Sequence, residues 1–163
     1  MNKTLKIACM LLAANLTTAC STENDTPLGP IGEAPGEEEE GIEHIYLWPE
    51  DNMPATTDYT VNNGGYQDDP GFRPNMVWYP VPDGVTVKGA VMVCPGGAFM
   101  FRSGNEGAPV AERLAGLGYQ SFVVNYRVRP YTMEEGSLDL ARAIRYVRSH
   151  AADYGIAPED IAS

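Results

Sequence analysis

Several of the residues on which protein chemistry most often depends are scarce in this chain. Of 163 residues, three are cysteine and two are histidine. Cys9 and Cys20 lie within the first twenty residues, so Cys94 is left alone in the body and no disulfide framework can form there. His44 and His150 are far apart, and no His or Cys pair has ligand spacing, so no metal centre is expected. Basic residues are also few. Eleven Lys and Arg face 22 Asp and Glu, a formal net charge of -11. A surface that acidic repels phosphate backbones and anionic headgroups, which excludes nucleic acid as a partner. No apolar run reaches the roughly 18 residues of a transmembrane helix. No G-x-S-x-G occurs, and none of Ser21, Ser103, Ser121, Ser137, Ser149 and Ser163 has glycines on both sides at that spacing.

The N-terminus holds the longest apolar stretch. "MNKTLKIACMLLAANLTTAC" places Lys3 and Lys6 before an apolar run over 7–16 and small residues before Cys20, the layout of an export signal over 1–19. It resembles a bacterial lipoprotein signal, in which the cysteine after the cut becomes a lipid anchor. Thr17 departs from that pattern, and an ordinary signal peptide cut nearby is the alternative. Either way the product is exported: a lipoprotein of the bacterial outer membrane or cell surface, otherwise a periplasmic or secreted protein. Only a lipid anchor at Cys20 would touch the membrane. Residues 20–43, rich in Pro, Gly and Glu, have little to bury and read as a disordered acidic linker. The four glutamates at 37–40 stay solvated there rather than forming a cation site.

Residues 44–163 form the folded body. "IEHIYLWP" and "NMVWYPVPDG" mix aromatic and β-branched residues with prolines, which suits short strands at a sheet edge. The segment between them is rich in turn formers, and its Tyr59, Tyr66 and Phe72 pack a long loop onto the body or line a site. "AVMVC", 90–94, is continuously apolar and predicts a strand covered on both faces, with Cys94 as an apolar filler at its end. "APVAERLAGLGY" predicts a helix with Pro109 in its first turn, Val110, Leu114 and Leu117 as its stripe, and Gly118 as its stop. "SFVVNY", 121–126, is a second buried strand. In "GSLDLARAIRYVRSHAADYG" Ser137 can cap a helix and Asp139 suits its positive end. Leu140, Ile144, Val147 and Ala151 share one face, and Gly155 and Pro158 end it. "DIAS" begins a further apolar segment. Strand, helix, strand, helix and strand predict an α/β fold with a mostly parallel sheet flanked by helices.

Between the first buried strand and its helix stands "CPGGAFMFRSGNEG". A phosphate cradle is a poor match, because G-x-G-x-x-G and G-K-[ST] are both absent and about a dozen residues separate Gly96 and Gly97 from the helix. An oxyanion hole fits better. An ester carbonyl under attack gains negative charge, and backbone N–H groups stabilise it only if small residues leave them reachable. Pro95 turns the chain, Gly96 and Gly97 clear the approach, and Ala98 adds one methyl group.

"VMVCPGGAFMFRSGNEGAPVAERLAGLGYQSFVVNYRV" and "DLARAIRYVRSHAADYGIAPEDIAS" resemble the α/β-hydrolase superfamily, in particular its secreted esterase/lipase group associated with acetyl-xylan and related carbohydrate esters. The likeness runs over 45–163 and is most specific over 91–163. It implies a fold corresponding to the N-terminal part of an α/β hydrolase, ending before the nucleophile elbow. It implies hydrolysis of a carboxylic ester on an acylated polysaccharide or oligosaccharide, through an acyl-enzyme and without a cofactor. The HGGG segment of lipases falls on Pro95, Gly96, Gly97 and Ala98. The resemblance thus makes the N–H groups of Gly97 and Ala98 the oxyanion donors, with Gly96 setting the turn. The family's serine would be expected roughly three to seven residues beyond Ser163, with acid and histidine later. The chain alone is therefore expected to lack a triad, to fold poorly and to be inactive.

Other candidates have plainer readings. Ser103 serves loop hydrogen bonding, Asp153 lies at the surface, and Tyr126 and Arg127 pack and pair at a strand end. The alternative function is a non-catalytic surface lipoprotein that binds glycan through aromatics such as Tyr46, Trp48, Trp78 and Tyr79.

Overall fold

The computed structural model describes residues 43–163. The export signal, Cys20 and nearly all of the acidic linker lie outside the described residues. Five strands form one mixed sheet: β1 (His44–Tyr46), β2 (Asn75–Tyr79), β3 (Gly89–Val93), β4 (Tyr119–Asn125) and β5 (Ile161–Ala162), in the order β1-β2-β4-β3-β5. β1 and β2 pair antiparallel, as do β2 and β4, whereas β3 lies parallel to both β4 and β5. Helix α1 (Ala108–Gly116) joins β3 to β4, and α2 (Met133–Ser149) leads from β4 towards β5.

Strand alternation sorts the core into two layers. Ala90, Met92, Phe122, Val124 and Met76 pack with Ala143 and Val147 of α2. Val93 and Val123, from the opposite face, pack with Ala111 of α1, supported by Val91, Tyr79 and Leu114. The sheet is therefore covered on both sides, which is why β3 and β4 are apolar throughout rather than alternating.

The elements differ from the sequence reading in five respects. β2 lies inside the sheet between β1 and β4, so only β1 forms that edge. β3 ends at Val93, and Cys94 is an exposed residue, not a core filler, because the chain turns away at Pro95. On α1 the buried residues are Ala111 and Ala115, while Val110 and Leu117 are exposed. A helix lying close on a sheet buries its smallest side chains where the backbones approach, so a count of large apolar residues finds the wrong stripe. Helix α2 starts four residues before Ser137: Thr132 is its N-cap and forms a capping box with Glu135. It ends at Ser149, before Gly155, with His150 as its C-cap.

Asp139 is not a helix-start charge either. It is fully buried and grips Arg127, itself fully buried: Arg127 Nε donates to Oδ2 at 2.9 Å and Nη2 to Oδ1 at 2.8 Å. Trp48 Nε1 also donates to Asp139 Oδ1, at 2.7 Å, and Arg127 Nη1 donates to Pro54 O at 2.7 Å. One ion pair thus joins the end of β4, helix α2 and the segment after β1.

Candidate oxyanion site

The glycine loop leaves β3 and doubles back on itself. Gly97 O accepts from the N–H groups of Met100 at 2.9 Å and Phe101 at 3.4 Å, and Gly96 O accepts from Ser103 N–H at 2.9 Å. The two central residues of the turn, Ala98 and Phe99, have φ of 53° and 60°, the left-handed region that side chains disfavour. Gly97 has φ 152°, and a Cβ there would stand 2.1 Å from Phe101 O, so no other residue fits. Strain of this kind persists only where surrounding contacts hold it.

Those contacts come from four directions. Gly96 N–H donates to Glu106 Oε2 at 2.8 Å, across to the 3-10 turn Gly104–Glu106. Tyr126 Oη donates to Pro95 O at 2.6 Å, and Arg129 N–H donates to Phe99 O at 3.0 Å. Arg102 forms a nearly buried ion pair with Asp68, donates from Nη1 to Tyr126 O at 2.7 Å, and lies 4.7 Å over the Phe72 ring. Gln67 exchanges hydrogen bonds with the Arg102 main chain. Among the described residues, the N–H groups of Gly97 and Ala98 donate to no protein atom.

A cleft of 150 Å³ adjoins the loop, lined by Cys94, Phe99, Tyr126, Met133, Gly136, Ser137 and Leu140. It lies at the carboxyl end of β3 and β4, where open α/β sheets hold their ligands. Although Cys94 is exposed as a residue, burial around its sulfur pushes the thiol pKa up, which keeps it protonated and weakly nucleophilic. Burial likewise raises the Tyr126 hydroxyl, with Cys94 and Glu106 adding to the effect and Arg102 opposing it. Ser137 has no histidine beside it. His44 opens β1 with Nδ1 3.0 Å from Asn75 Oδ1, and His150 stacks on Tyr146 at 4.2 Å.

The remaining predicted residues are dispersed or structural. Ser103 takes part through its main chain, and Asp153 is exposed. Tyr59 packs edge-on against Tyr66 and Tyr131, at 5.8 and 5.7 Å, so these aromatics hold the long loop together. No group of three or more metal-ligating side chains occurs among the described residues. Sequence reasoning missed Glu106, the Arg102–Asp68 pair and Glu135. Only the last had a local signal, the T-x-x-E of a capping box in "TMEE".

Glu135 fastens the loop that precedes β2. Its carboxylate accepts from Thr56 N–H at 2.6 Å, Thr57 N–H at 3.1 Å, Thr57 Oγ1 at 2.6 Å and Thr132 N–H at 2.8 Å. Burial works to raise its pKa, but the Thr57 hydroxyl and the Thr132, Thr56 and Thr57 amides together outweigh it and bring the pKa to about 2.

No family model matches the chain, and no curated protein matches it in sequence. Solved structures do. An acetyl ester-xyloside bifunctional hydrolase from Caldicellulosiruptor lactoaceticus is 32% identical with a TM-score of 0.55, over 73% of this chain and 40% of that one. An α/β hydrolase from a Medee basin deep-sea metagenome library is 22% identical, with a TM-score of 0.53 over 74% and 43% of the two chains. Thermogutta terrifontis esterase 2 is 24% identical, with a TM-score of 0.53 over 77% and 42%. This chain thus spans about two fifths of the length of the structures it matches.

Proposed function

We infer from the α/β-hydrolase fold of this chain that it supplies the oxyanion-stabilising part of a serine-type carboxylic ester hydrolase. The observation that carries the reading is the pair of adjacent N–H groups at Gly97 and Ala98. They lack protein partners among the described residues and belong to a strained turn at the carboxyl end of β3. Two such donors aimed at a tetrahedral oxyanion are each worth about 3 to 4 kcal/mol of barrier. The turn is held before substrate arrives, so little reorganisation accompanies the reaction.

The nucleophile is a different matter. The sequence contains no G-x-S-x-G, the Cys94 thiol is held protonated, and neither histidine borders the cleft. The chain as it stands is therefore read as the electrostatic half of the machinery, with acyl transfer requiring a serine outside these residues. An acylated polysaccharide or oligosaccharide is the proposed substrate, supported by the likeness to the acetyl ester-xyloside bifunctional hydrolase. The proposed location is the bacterial surface, behind a lipid anchor at Cys20, or otherwise the periplasm or medium.

The test combines sequence and turnover. DNA beyond codon 163 is expected to encode, in frame or one base out, a serine between elbow glycines. The chain extended by that sequence should hydrolyse p-nitrophenyl acetate, and loss of that serine should abolish turnover. An extended, folded chain without turnover overturns the reading. One observation favours the glycan-binding alternative: a 500 Å³ cleft beside β2 lined by Glu43, Trp78, Tyr79, Tyr146 and Tyr154. Yet Trp78 already stacks on Phe122 at 6.5 Å and meets Tyr154 at 5.1 Å, and its Nε1 donates to Gln120, contacts that packing alone explains. Retention of the chain on xylan without turnover by the extended form would favour that alternative.

A further inference from the structure

We propose that Glu106 is the positioning residue of the glycine loop, an assignment that rests on the hydrolase reading for its catalytic meaning. Three successive N–H groups, at 96, 97 and 98, follow Pro95. Glu106 takes the first, and the next two, like that of Phe99, have no protein partner among the described residues. Gly96 is gripped on both sides by one segment, its N–H by Glu106 Oε2 at 2.8 Å and its C=O by Ser103 N–H at 2.9 Å. The first bond orients the Pro95–Gly96 peptide, whose C=O also accepts from Tyr126 Oη, and the second orients the Gly96–Gly97 peptide, so together they fix the start of the strained turn.

Glu106 is itself well placed for this. Its own N–H donates to Ser103 O at 3.1 Å, and Gly107 N–H donates to Gly104 O at 3.1 Å, which closes the 3-10 turn just ahead of α1. The side chain is exposed, so filling the core does not explain it. A carboxylate accepting from an amide makes a charge-assisted bond, stronger than the neutral bonds of the same loop. The approach is also close: a Cβ on residue 96 would stand 2.9 Å from Oε2. Glycine at 96 is thus needed for contact with Glu106, whereas glycine at 97 is needed for the turn.

The consequence is a division of labour along three peptide units. Without Glu106, the 96 amide becomes a further free donor, and the Pro95–Gly96 peptide, from which those of 97 and 98 follow, keeps only its bond from Tyr126. The donors at 97 and 98 then follow a looser peptide, and an oxyanion gains least when its donors must reorganise.

Amide NMR of the 15N-labelled chain tests this without requiring activity. Glu106→Ala should speed exchange of the Gly96 amide by about tenfold or more and move the Gly97 and Ala98 signals. Glu106→Gln keeps an acceptor oxygen and should hold all three near their original positions. Gly96→Ala, which pushes Oε2 away, should reproduce the Glu106→Ala pattern. Unchanged Gly96 exchange and unchanged Gly97 and Ala98 signals in Glu106→Ala would overturn the proposal. Turnover by the extended chain tests the hydrolase reading separately.

Discussion

Ala98 and Phe99 are two consecutive side-chain-bearing residues in a left-handed turn that asparagine and glycine usually fill. Replacing Ala98 with Gly removes the Cβ penalty, offset in part by the greater freedom of glycine in the unfolded chain. Urea unfolding should show a gain of about 0.5 to 1 kcal/mol. Gly97→Ala should do the opposite by more than about 3 kcal/mol, because its Cβ meets main chain and not a movable side-chain tip. Glu135 makes the pH prediction. Its pKa lies at about 2, below the ordinary 4.5, so its contribution is present above the ordinary value and is lost as pH falls from about 5 through 2. Thermal unfolding followed across that window should show a steeper fall for the natural chain than for Glu135→Gln. The variant should already be weaker at neutral pH by about 1 to 3 kcal/mol.

At the scale of elements, the buried Arg127–Asp139 pair ties β4 to α2 and, through Trp48 and Pro54, to the chain after β1. Asp139→Ala strands a buried guanidinium and should cost about 3 to 5 kcal/mol in urea unfolding. An equally buried apolar contact such as Val147→Ala should cost less than that. The same elements show what the sequence makes legible. Apolar runs over 90–94 and 121–126 announced two buried strands to within one or two residues at each end, and Pro109 announced the start of α1, because strand burial and first-turn geometry are local properties. The partner of Asp139 was not legible: a carboxylate six residues into a helix looks solvated until the end of β4 is laid against it. Cys94 misled for a related reason. A strand's last apolar letter does not reveal where the chain turns.

For the whole molecule, the order β1-β2-β4-β3-β5 brings the carboxyl ends of β3 and β4 together, and the loops above them are cross-tied. The tight turn of the glycine loop was legible in its residue types, since only glycine fits at 97. Its fastening was not, because Glu106, Tyr126, Arg102 and Asp68 come from segments that only the fold assembles. At this scale the prediction is kinetic. On the proposed reading, the chain alone should leave p-nitrophenyl acetate at the buffer rate, and turnover above a buffer blank would contradict it.

The long segment between β1 and β2 is pinned at Thr56 and Thr57 by Glu135, and at Asp68 by Arg102. Between those pins, Gly64 and Gly65 meet nothing within 4 Å on the side where a Cβ would project. This span is therefore a natural port for grafting: an affinity tag or fluorophore-bearing peptide spliced between Gly64 and Gly65 lengthens a loop whose ends stay fixed. Doubling such a loop adds only about 0.6 kcal/mol of closure entropy.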